Sequence, residues 1–291
     1  MLRWSLTPVA MLPLRAVYPL SDVLAFIVAR VVRYRVKTVR KNLRESFPEK
    51  SEKELRRIEK DFYRHFTDQI FETIKLIDIS DRQMMKRMKF KGMEAVSRDL
   101  AEGSQVICYF SHCGNWEWAT SFKLHMSEEL KGGSEIGQVY RPLKNKAFDS
   151  LMLRLRGRFD TVSYPKTIVS RCLLRNKMNG VPGVVGFMSD QKPSHNDSVR
   201  KGMFLNHPTA MIGGTELLAR HLDAAVYYWD MHKTSRGHYE IDMIPLTHSA
   251  AGEPEWRLTD TYRDLLEANI RRQPHIWLWT HKRWKKPVTL D

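Results

Sequence analysis

Cysteine is scarce in this chain of 291 residues, and the few present exclude several classes of protein. The three cysteines, Cys108, Cys113 and Cys172, form no CxxC pair and no spacing typical of a metal site. A sparse, odd set indicates a reducing compartment rather than a disulfide framework. An HExxH cluster is also missing, so a metal-dependent hydrolase is not predicted, and we expect no metal and no other cofactor.

Long apolar runs are lacking too, although residues 1–32 are rich in apolar side chains. Prolines and charged residues interrupt them, and the longest clean run, residues 23–29, is far shorter than the roughly 20 residues of a spanning helix. A signal-peptide cleavage site does not follow. We expect residues 1–45 to form a membrane-associated segment whose basic side chains, between Arg30 and Arg44, face anionic lipid. The alternative is a soluble helix that caps the core.

Acidic residues are outnumbered by basic ones, 33 against 48, which leaves a net charge of +15. Such a balance predicts an anionic partner, either a nucleic acid, a membrane or an acidic protein. Signatures of zinc fingers, RNP-like folds and helix-turn-helix domains are absent, so nucleic acid is not the expected partner. A basic, non-enzymatic protein that binds nucleic acid or anionic membrane is the rival to an enzyme, and it rests on charge alone.

Helical patterns fill the first part of the chain, and an alternating pattern fills the rest. A capping box at residues 51–54 opens a helix with one apolar face, formed by Leu55, Ile58, Phe62, Phe66, Ile70 and Ile74. We predict a domain over residues 46–291, with a helical entry at 51–90 and an α/β core at 91–291. The fold class is a layered α/β fold whose mostly parallel central sheet is flanked by helices and preceded by a helical N-terminal region.

The individual elements of the predicted core follow from the same pattern. The predicted strands are 105–111, 136–140, 181–188, 224–231, 239–245 and 275–280. The predicted helices are 115–130, 145–158, 166–179, 208–222 and 258–272. Removing residues 1–32 is expected to leave this α/β core folded.

The segment from His112 to Glu117, HCGNWE, is the most informative stretch of the sequence. It follows a buried-strand pattern at residues 106–110, with Gly114 in a turn and Asn115 as an N-cap. Such a turn can bring the carboxylate of Glu117 to one nitrogen of His112. The other nitrogen is then free to take a proton from a hydroxyl or amine. The alternative is a structural histidine.

Three polar blocks each follow a predicted strand, at His112, Arg141 and Asp190. In a parallel sheet, all three meet at the carboxyl edge, where sites gather. Arg141 precedes a proline, so its backbone is extended, and its guanidinium suits a phosphate or an oxyanion. Otherwise it is a surface arginine. Asp190 suits the orientation of a basic residue or of a sugar hydroxyl, or else it caps a turn.

Four blocks in order carry a resemblance to a known family. HCGNWE resembles the HX4(D/E) motif of the glycerolipid acyltransferase superfamily. With VYRP at 139–142, SDQ at 189–191 and WLWTHKRW at 277–284, the chain resembles the bacterial late acyltransferases of lipid A biosynthesis. It departs from that pattern at Cys113, where the family has an aromatic residue, at Lys282, where it has arginine, and at 204–206, where it has FFG.

The resemblance implies transfer of a fatty acyl chain from an acyl carrier protein or acyl-CoA thioester to a hydroxyl of a lipid, a lipid A precursor above all. A different phospholipid, glycolipid or amino-lipid acceptor is the alternative. It implies a peripheral or monotopic place on the cytoplasmic face of the inner membrane. His112 would be the general base and Glu117 its orienting partner. The expected substrate-binding residues are Arg141, Asp190, Asn115 and Arg283.

Further residues of these blocks receive lesser roles. Lys282, Arg283, Lys285 and Lys286 are expected to form a solvated basic patch. His207 and His281 are interpreted as structural. Cys113 is not expected to act as a covalent nucleophile, because the family reaction transfers the acyl group directly.

Overall fold

Five helices form the N-terminal region of the protein. The computed structural model describes residues 2–290, with side chains from Ser5 onward, and leaves out Met1 and Asp291, the end residues of the two predicted domains. The helices are α1 (Leu2–Met11), α2 (Leu14–Phe26), α3 (Val36–Ser46), α4 (Glu52–Lys75) and α5 (Asp81–Arg87). A single π-helical turn, Ile27–Val31, extends α2. The helical character predicted for this region is confirmed.

Helix α4 begins at the predicted capping box. The hydroxyl of Ser51 accepts a hydrogen bond from the backbone of Glu54, whose carboxylate accepts one from the Ser51 backbone at 2.8 Å. The predicted apolar face holds in the first half of the helix, where Leu55 and Phe62 are buried. It fails toward the end, where Ile70 is 40% exposed.

The second half of α4 buries polar side chains instead. The fully buried carboxylate of Glu72 accepts hydrogen bonds from Tyr18 on α2 (3.1 Å), from Asn115 (2.7 Å) and from Tyr239 (2.8 Å). Asp68, also fully buried, accepts one from Ser21 at 2.8 Å. Because buried carboxylates need such partners, α4 joins the N-terminal segment to the rest of the protein through polar contacts.

A seven-stranded sheet forms the centre of the α/β core. Its strands are β1 (Met88–Lys91), β2 (Gln105–Phe110), β3 (Glu135–Tyr140), β4 (Val162–Pro165), β5 (Gly183–Met188), β8 (Ala225–Ser235) and β9 (His238–Thr247), and β6 (Val199–Phe204) and β7 (His207–Ile212) form a separate hairpin. The order is β1-β9-β8-β2-β5-β3-β4. Every neighbouring pair is parallel except β8 and β9. The predicted mostly parallel sheet is confirmed.

Helices cover both faces of this sheet. They are α6 (Met93–Ala101), α7 (Glu128–Gly133), α8 (Lys146–Arg156), α9 (Val169–Met178), α10 (Gly214–Leu222) and α11 (Arg257–Arg272). All six residues of β2 are buried, and they alternate between two apolar clusters: Ile107 and Tyr109 belong to one, Val106, Cys108 and Phe110 to the other. Since successive side chains of a strand point to opposite faces, the sheet separates two cores and the fold has three layers.

Four predicted elements differ from the structure. The predicted helical entry 51–90 ends in a strand, because β1 begins at Met88. The predicted helix 208–222 begins only at Gly214, because residues 207–212 pair with β6 around a two-residue turn with positive φ at Leu205 and Asn206. The predicted strand 275–280 is a short 3-10 turn (Pro274–Ile276), followed by one isolated bridge from Trp277 to Cys113 and by a turn at 279–280.

The fourth difference lies directly after His112. In place of one helix over 115–130, the chain forms a 3-10 helix, Trp118–His125, and then α7. Side chains at its start hydrogen-bond to the backbone three residues away: Asn115 accepts from the Trp118 amide, and Thr120 donates to the Glu117 carbonyl. Such local bonds compete with the α-helical pattern.

No single helix among the described residues 2–290 is both long and apolar enough to cross a membrane. Two helical stretches, Ser5–Met11 and Leu14–Val31, pass the test of length and composition only as a pair that is bent by 117°.

Candidate active site

The carboxyl edge of the sheet brings the predicted blocks together. Strand β2 pairs with β5, and β5 pairs with β3, all in parallel. His112, Asp190 and Arg141 come after these three strands in turn, so they lie at the same edge. The convergence predicted from the spacing is confirmed, and β5 places Asp190 between the other two.

His112 and Asp190 are in direct contact. The Nδ1 atom of His112 lies 2.7 Å from Oδ1 of Asp190, and the backbone amide of His112 donates to Oδ2 at 3.1 Å. The indole of Trp277 donates to the same Oδ2 at 2.9 Å. The carboxylate is therefore held by three hydrogen bonds, and it fixes the plane of the imidazole.

Asp190 is ionised despite complete burial. Burial by itself would raise the pKa of Asp190, but the electrostatic interaction with His112 and the hydrogen bonds from His112 and Trp277 lower this pKa to about 2. A carboxylate can only accept hydrogen bonds, so Nδ1 of His112 carries a hydrogen. In the neutral ring, the Nε2 atom then has a free lone pair, which is what a general base requires.

The Nε2 atom faces Gln191, the residue next to Asp190 in the chain. The two Nε2 atoms, of Gln191 and of His112, lie 3.0 Å apart. Because the histidine nitrogen has the lone pair, the glutamine amide is the donor. The side chain of His112 is 15% exposed, so the ring is within reach of solvent.

Glu117 contacts a different partner from the one that the sequence predicts. Its two carboxylate oxygens accept hydrogen bonds from Arg156 on α8, at 2.8 and 2.7 Å. Burial opposes the charge of Arg156, yet the hydrogen bonds and charge of Glu117 raise the pKa of the guanidinium. Both ring nitrogens of His112 are taken by Asp190 and Gln191, so the expected hydrogen bond from His112 to Glu117 is replaced by one to Asp190.

Trp116 contacts both Glu117 and His112. The indole of Trp116 donates to Glu117 at 3.2 Å. Its ring stands edge-on to the imidazole of His112, with centroids 5.0 Å apart and planes at 67°. The ion pair of Glu117 and Arg156 thus holds the ring of Trp116 beside the histidine.

Arg141 and Asn115, two of the expected substrate-binding residues, differ in exposure: the first is exposed and the second is buried. Arg141 is exposed, and within the described residues it forms no hydrogen bond or ion pair. Asn115 is only 1% exposed, and its amide is used within the protein, by Glu72 and by the backbone of Trp118.

Arg283 is buried, contrary to the predicted solvated patch. It is 4% exposed, and one Nη atom donates to the carbonyl of Ala210 at 2.6 Å, while its Nε has no hydrogen-bond partner among the described residues. Burial lowers its pKa to about 10. Its neighbours Lys282, Lys285 and Lys286 are exposed as expected. Arg283 is buried, unlike these lysines, because its side chain packs against the β6–β7 hairpin.

Three further chemistry-bearing side chains are buried or partly buried. Cys113 is fully buried, and burial raises the pKa of its thiol, so the nucleophilic thiolate is disfavoured. His281 accepts a hydrogen bond from the backbone of Lys192 at 3.1 Å, and burial lowers its pKa to about 4. His207 stacks on Trp284 with centroids 4.0 Å apart. Each of these contacts is structural in kind.

A possible set of metal ligands lies on the two antiparallel strands of the sheet. His232, Glu240 and Asp242, on β8 and β9, have ligand atoms within 4.8 Å of one another. The ammonium of Lys91 already lies 2.6 Å from Glu240 and supplies a positive charge there. Lys91 therefore offsets one of the two carboxylate charges of this set.

Sequence reasoning missed two neighbours of the site. Arg156 is 39 residues from Glu117, on a helix with several other basic residues, and nothing in its local sequence marks it. Gln191 belongs to the SDQ block, which does mark it, although only the fold reveals its contact with His112.

Comparison with known proteins agrees with the motifs. Residues 4–286 match the family described as bacterial lipid A biosynthesis acyltransferase. The lipid A biosynthesis lauroyltransferase of Escherichia coli (strain K12) is 25% identical over 283 residues, which cover 95% of this chain and 88% of the relative. The rival interpretation as a non-enzymatic binding protein is therefore wrong. The chain belongs to the bacterial lipid A biosynthesis acyltransferases and is an enzyme that transfers acyl groups.

Proposed function

We propose that this enzyme moves a fatty acyl chain from an acyl carrier protein or acyl-CoA thioester to a hydroxyl of a lipid A precursor, with His112 as general base. The observation that supports this most is the contact of His112 with the ionised, buried Asp190, which leaves the Nε2 lone pair at the edge of the sheet. The relative named as a lauroyltransferase supports a fatty acyl chain as the group transferred.

The chemistry depends on this arrangement. Nε2 of His112 takes the proton of the acceptor hydroxyl as its oxygen attacks the thioester carbonyl carbon. Asp190 stabilises the imidazolium that forms, since its charge lies 2.7 Å from Nδ1. The carbon–sulfur bond then breaks, and the thiolate leaves with the proton from His112. The products are an ester and a free thiol, and the enzyme is unchanged.

Arg141 is proposed to bind an anionic group of one of the substrates. Its guanidinium is exposed at the same edge and is not paired within the described residues. A planar fork with two parallel donors fits a phosphate or a developing oxyanion better than a lysine does. Asn115 and Arg283, which are buried and bonded within the protein, are assigned to the support of the site rather than to substrate contact.

The proposed location is the cytoplasmic face of the inner membrane, with residues 1–45 as the attached segment. Helix α2 and the turn after it expose a row of apolar side chains: Leu20 (52%), Val23 (59%), Phe26 (62%), Val31 (67%) and Val32 (65%). Such a row beside basic residues suits a helix that lies in the lipid interface. The division of the chain at residue 45 remains a prediction.

The basic surface next to this row is proposed to meet the anionic partners. A cavity of about 160 Å³ lies among the N-terminal helices, and its lining includes Arg30, Arg40, Arg44 and Arg56. Arg40 and Arg44 are paired with Glu59 and Glu52, whereas Arg30 and Arg56 have no ion pair within the part of the chain that the structure describes. Anionic lipid and an acidic carrier protein are both compatible with this surface.

The test is acyl transfer by the purified full-length protein. A labelled acyl carrier protein thioester and a lipid A precursor are supplied, and the acylated lipid is measured. His112→Ala is expected to lower turnover by roughly 10²–10⁴-fold, the usual contribution of a general base. The matched control is His221→Ala, which removes an exposed histidine from α10.

Two outcomes would contradict the proposal. Equal turnover by His112→Ala and the control would remove His112 from the mechanism. Acylation of a phospholipid but not of the lipid A precursor would keep the chemistry and replace the acceptor.

A further inference from the structure

The side-chain amide of Gln191 forms a hydrogen bond with Nε2 of His112, the atom that accepts a proton in the proposed reaction. The Nε2 atom of Gln191 is 3.0 Å from Nε2 of His112, and Gln191 is only partly buried at the end of β5. Ionised Asp190 accepts a hydrogen bond from Nδ1–H of His112. In the neutral ring, the lone pair on Nε2 then accepts a hydrogen bond from the Gln191 amide. The base is therefore covered by the Gln191 amide.

The Gln191 amide and the acceptor exclude each other. One nitrogen lone pair accepts one hydrogen bond, and a hydroxyl that gives up its proton must lie about 2.6–3.2 Å from the same Nε2. Gln191 must turn away for the acceptor to bind. The cost corresponds to one net hydrogen bond, or about 2- to 12-fold in acceptor affinity.

Water competes for the same lone pair. If Nε2 of His112 takes a proton from water, the water oxygen attacks the thioester carbonyl carbon, the carbon–sulfur bond breaks, and the thiolate leaves with that proton. The products are a free fatty acid and a thiol, so the acyl donor is wasted. The imidazole is 15% exposed, and water is smaller than any lipid acceptor.

We propose that Gln191 guards His112: its amide occupies the base until an acceptor displaces it and so suppresses hydrolysis of the bound thioester. This rests on the acyl transfer proposed above. Gln191 acts through His112 and is a positioning residue. Its removal should change the ratio of hydrolysis to transfer, which a loss of general stability does not change.

The experiment uses the full-length protein with lauroyl-CoA as the donor, and free laurate is measured with and without a lipid A precursor. Gln191→Ala removes the side-chain amide and leaves Nε2 of His112 uncovered. Gln191→Met fills the same space but has no hydrogen-bond donor. Gln83→Ala, on the exposed face of α5, is the matched control. Circular dichroism reports whether each variant is folded.

We expect Gln191→Ala to release laurate without acceptor at least about fivefold faster than the wild type, the scale of one net hydrogen bond. A second change, His112→Ala, should abolish the extra release. Faster release by Gln191→Met as well would support the lost hydrogen bond, rather than the opened space, as the cause.

Unchanged laurate release by folded Gln191→Ala and Gln191→Met, with transfer intact, would overturn the guard role. Extra release that persists after His112→Ala would overturn it too, because the hydrolysis would not use the base. Failure of the proposed function is recognised separately, since the wild type would then transfer no laurate to lipid in a His112-dependent way.

Discussion

Replacing Asp190 by asparagine separates the two carboxylates that compete for the role of partner to His112. The amide has the shape of the carboxylate but no charge, and it presents a donor as well as an acceptor. The imidazolium formed during proton transfer would lose its anion 2.7 Å away. The amide NH₂ would also favour the wrong tautomer, with the hydrogen on Nε2.

The expected loss in kcat comes from these two effects. A hydrogen bond to a charged group contributes about 1.5–3 kcal/mol, which is roughly 10- to 150-fold in rate. The change of tautomer adds to this, and the same substitution in a Ser-His-Asp triad lowers kcat about 10⁴-fold. We therefore expect Asp190→Asn to lower kcat by about 10- to 10⁴-fold, with KM for the thioester little changed.

Stability supplies an independent readout. The pKa of Asp190 is about 2 in the folded protein, below the value of about 3.9 in an unfolded chain. The ionised group therefore contributes on the order of 2 kcal/mol above pH 4, and this contribution is lost as the pH falls from 4 toward 2. Asp190→Asn should remove part of it at neutral pH.

Glu117→Gln is the comparison, because it leaves the largely buried Arg156 without its anion. Breaking such a pair costs roughly 3–5 kcal/mol of stability. We expect a lower Tm and a smaller loss in kcat, measured per folded molecule below the Tm of each variant. Replacing Arg156 by Met in the same chain should recover part of the stability.

The opposite pattern of kinetics would refute Asp190 as the working partner of the base. Near-normal kcat in Asp190→Asn, together with a loss above 100-fold in folded Glu117→Gln, would mean that Glu117 orients His112 during turnover. The contact with Asp190 would then be a resting arrangement only.

Three further predictions concern the substrates and the membrane. Arg141→Lys keeps the charge but loses the planar fork, so kcat/KM should fall by at least about tenfold, as for a lost charged hydrogen bond; wild-type kinetics would make Arg141 an ordinary surface cation. Phe26 and Val31 are 62% and 67% exposed, and the insertion of each into lipid is worth about 1–2 kcal/mol. Changing both to serine should weaken cosedimentation with anionic vesicles at least about tenfold, whereas Met178→Ser, at an 85% exposed site, should not. High salt should loosen the wild type without releasing it fully, because screening acts on the charges alone; a wild-type protein that stays unbound at low salt would contradict the membrane assignment.

The edge of the sheet was predictable because its signals are local. A short apolar run indicates a strand, and a parallel sheet brings the residues after each strand to one edge. His112, Asp190 and Arg141 could thus be grouped from their positions alone. Their pairing could not, because the contact of His112 with Asp190 joins residues 78 positions apart.

The role given to Glu117 shows where short spacing misleads. A glutamate five residues from a histidine is near enough to reach it, but the bidentate contact with Arg156 is stronger than a single hydrogen bond to a neutral ring. The segment 275–280 misled for a related reason. It has the apolar and aromatic residues of a strand, yet the carbonyls of Trp279 and Thr280 accept hydrogen bonds from the side chains of Asn42 and Arg35 instead of from a neighbouring strand.

The independence of the core from residues 1–32 stays a prediction, and long-range contacts weigh against it. Ser21 is fully buried, and Arg236, in the turn between β8 and β9, forms ion pairs with both Asp22 and Asp68. Removing α2 would leave Asp68 with one fewer hydrogen bond and expose the polar face of α4. Arg236 and Asp22 are 214 positions apart, and the sequence gives no local sign of their pairing.

The carboxylate of Glu72 has a consequence for how attachment and catalysis relate. It binds Tyr18 on the proposed membrane segment and Asn115 in the turn that carries His112, and burial raises its pKa, so it depends on these donors. Two distant parts of the chain thus share one acceptor. By thermodynamic reciprocity, a bilayer that holds α2 in place favours the ordered turn, and a substrate that orders the turn tightens the hold of the bilayer by the same factor. We therefore expect the turn that carries His112 to be more ordered when α2 is bound to a bilayer than when it is not.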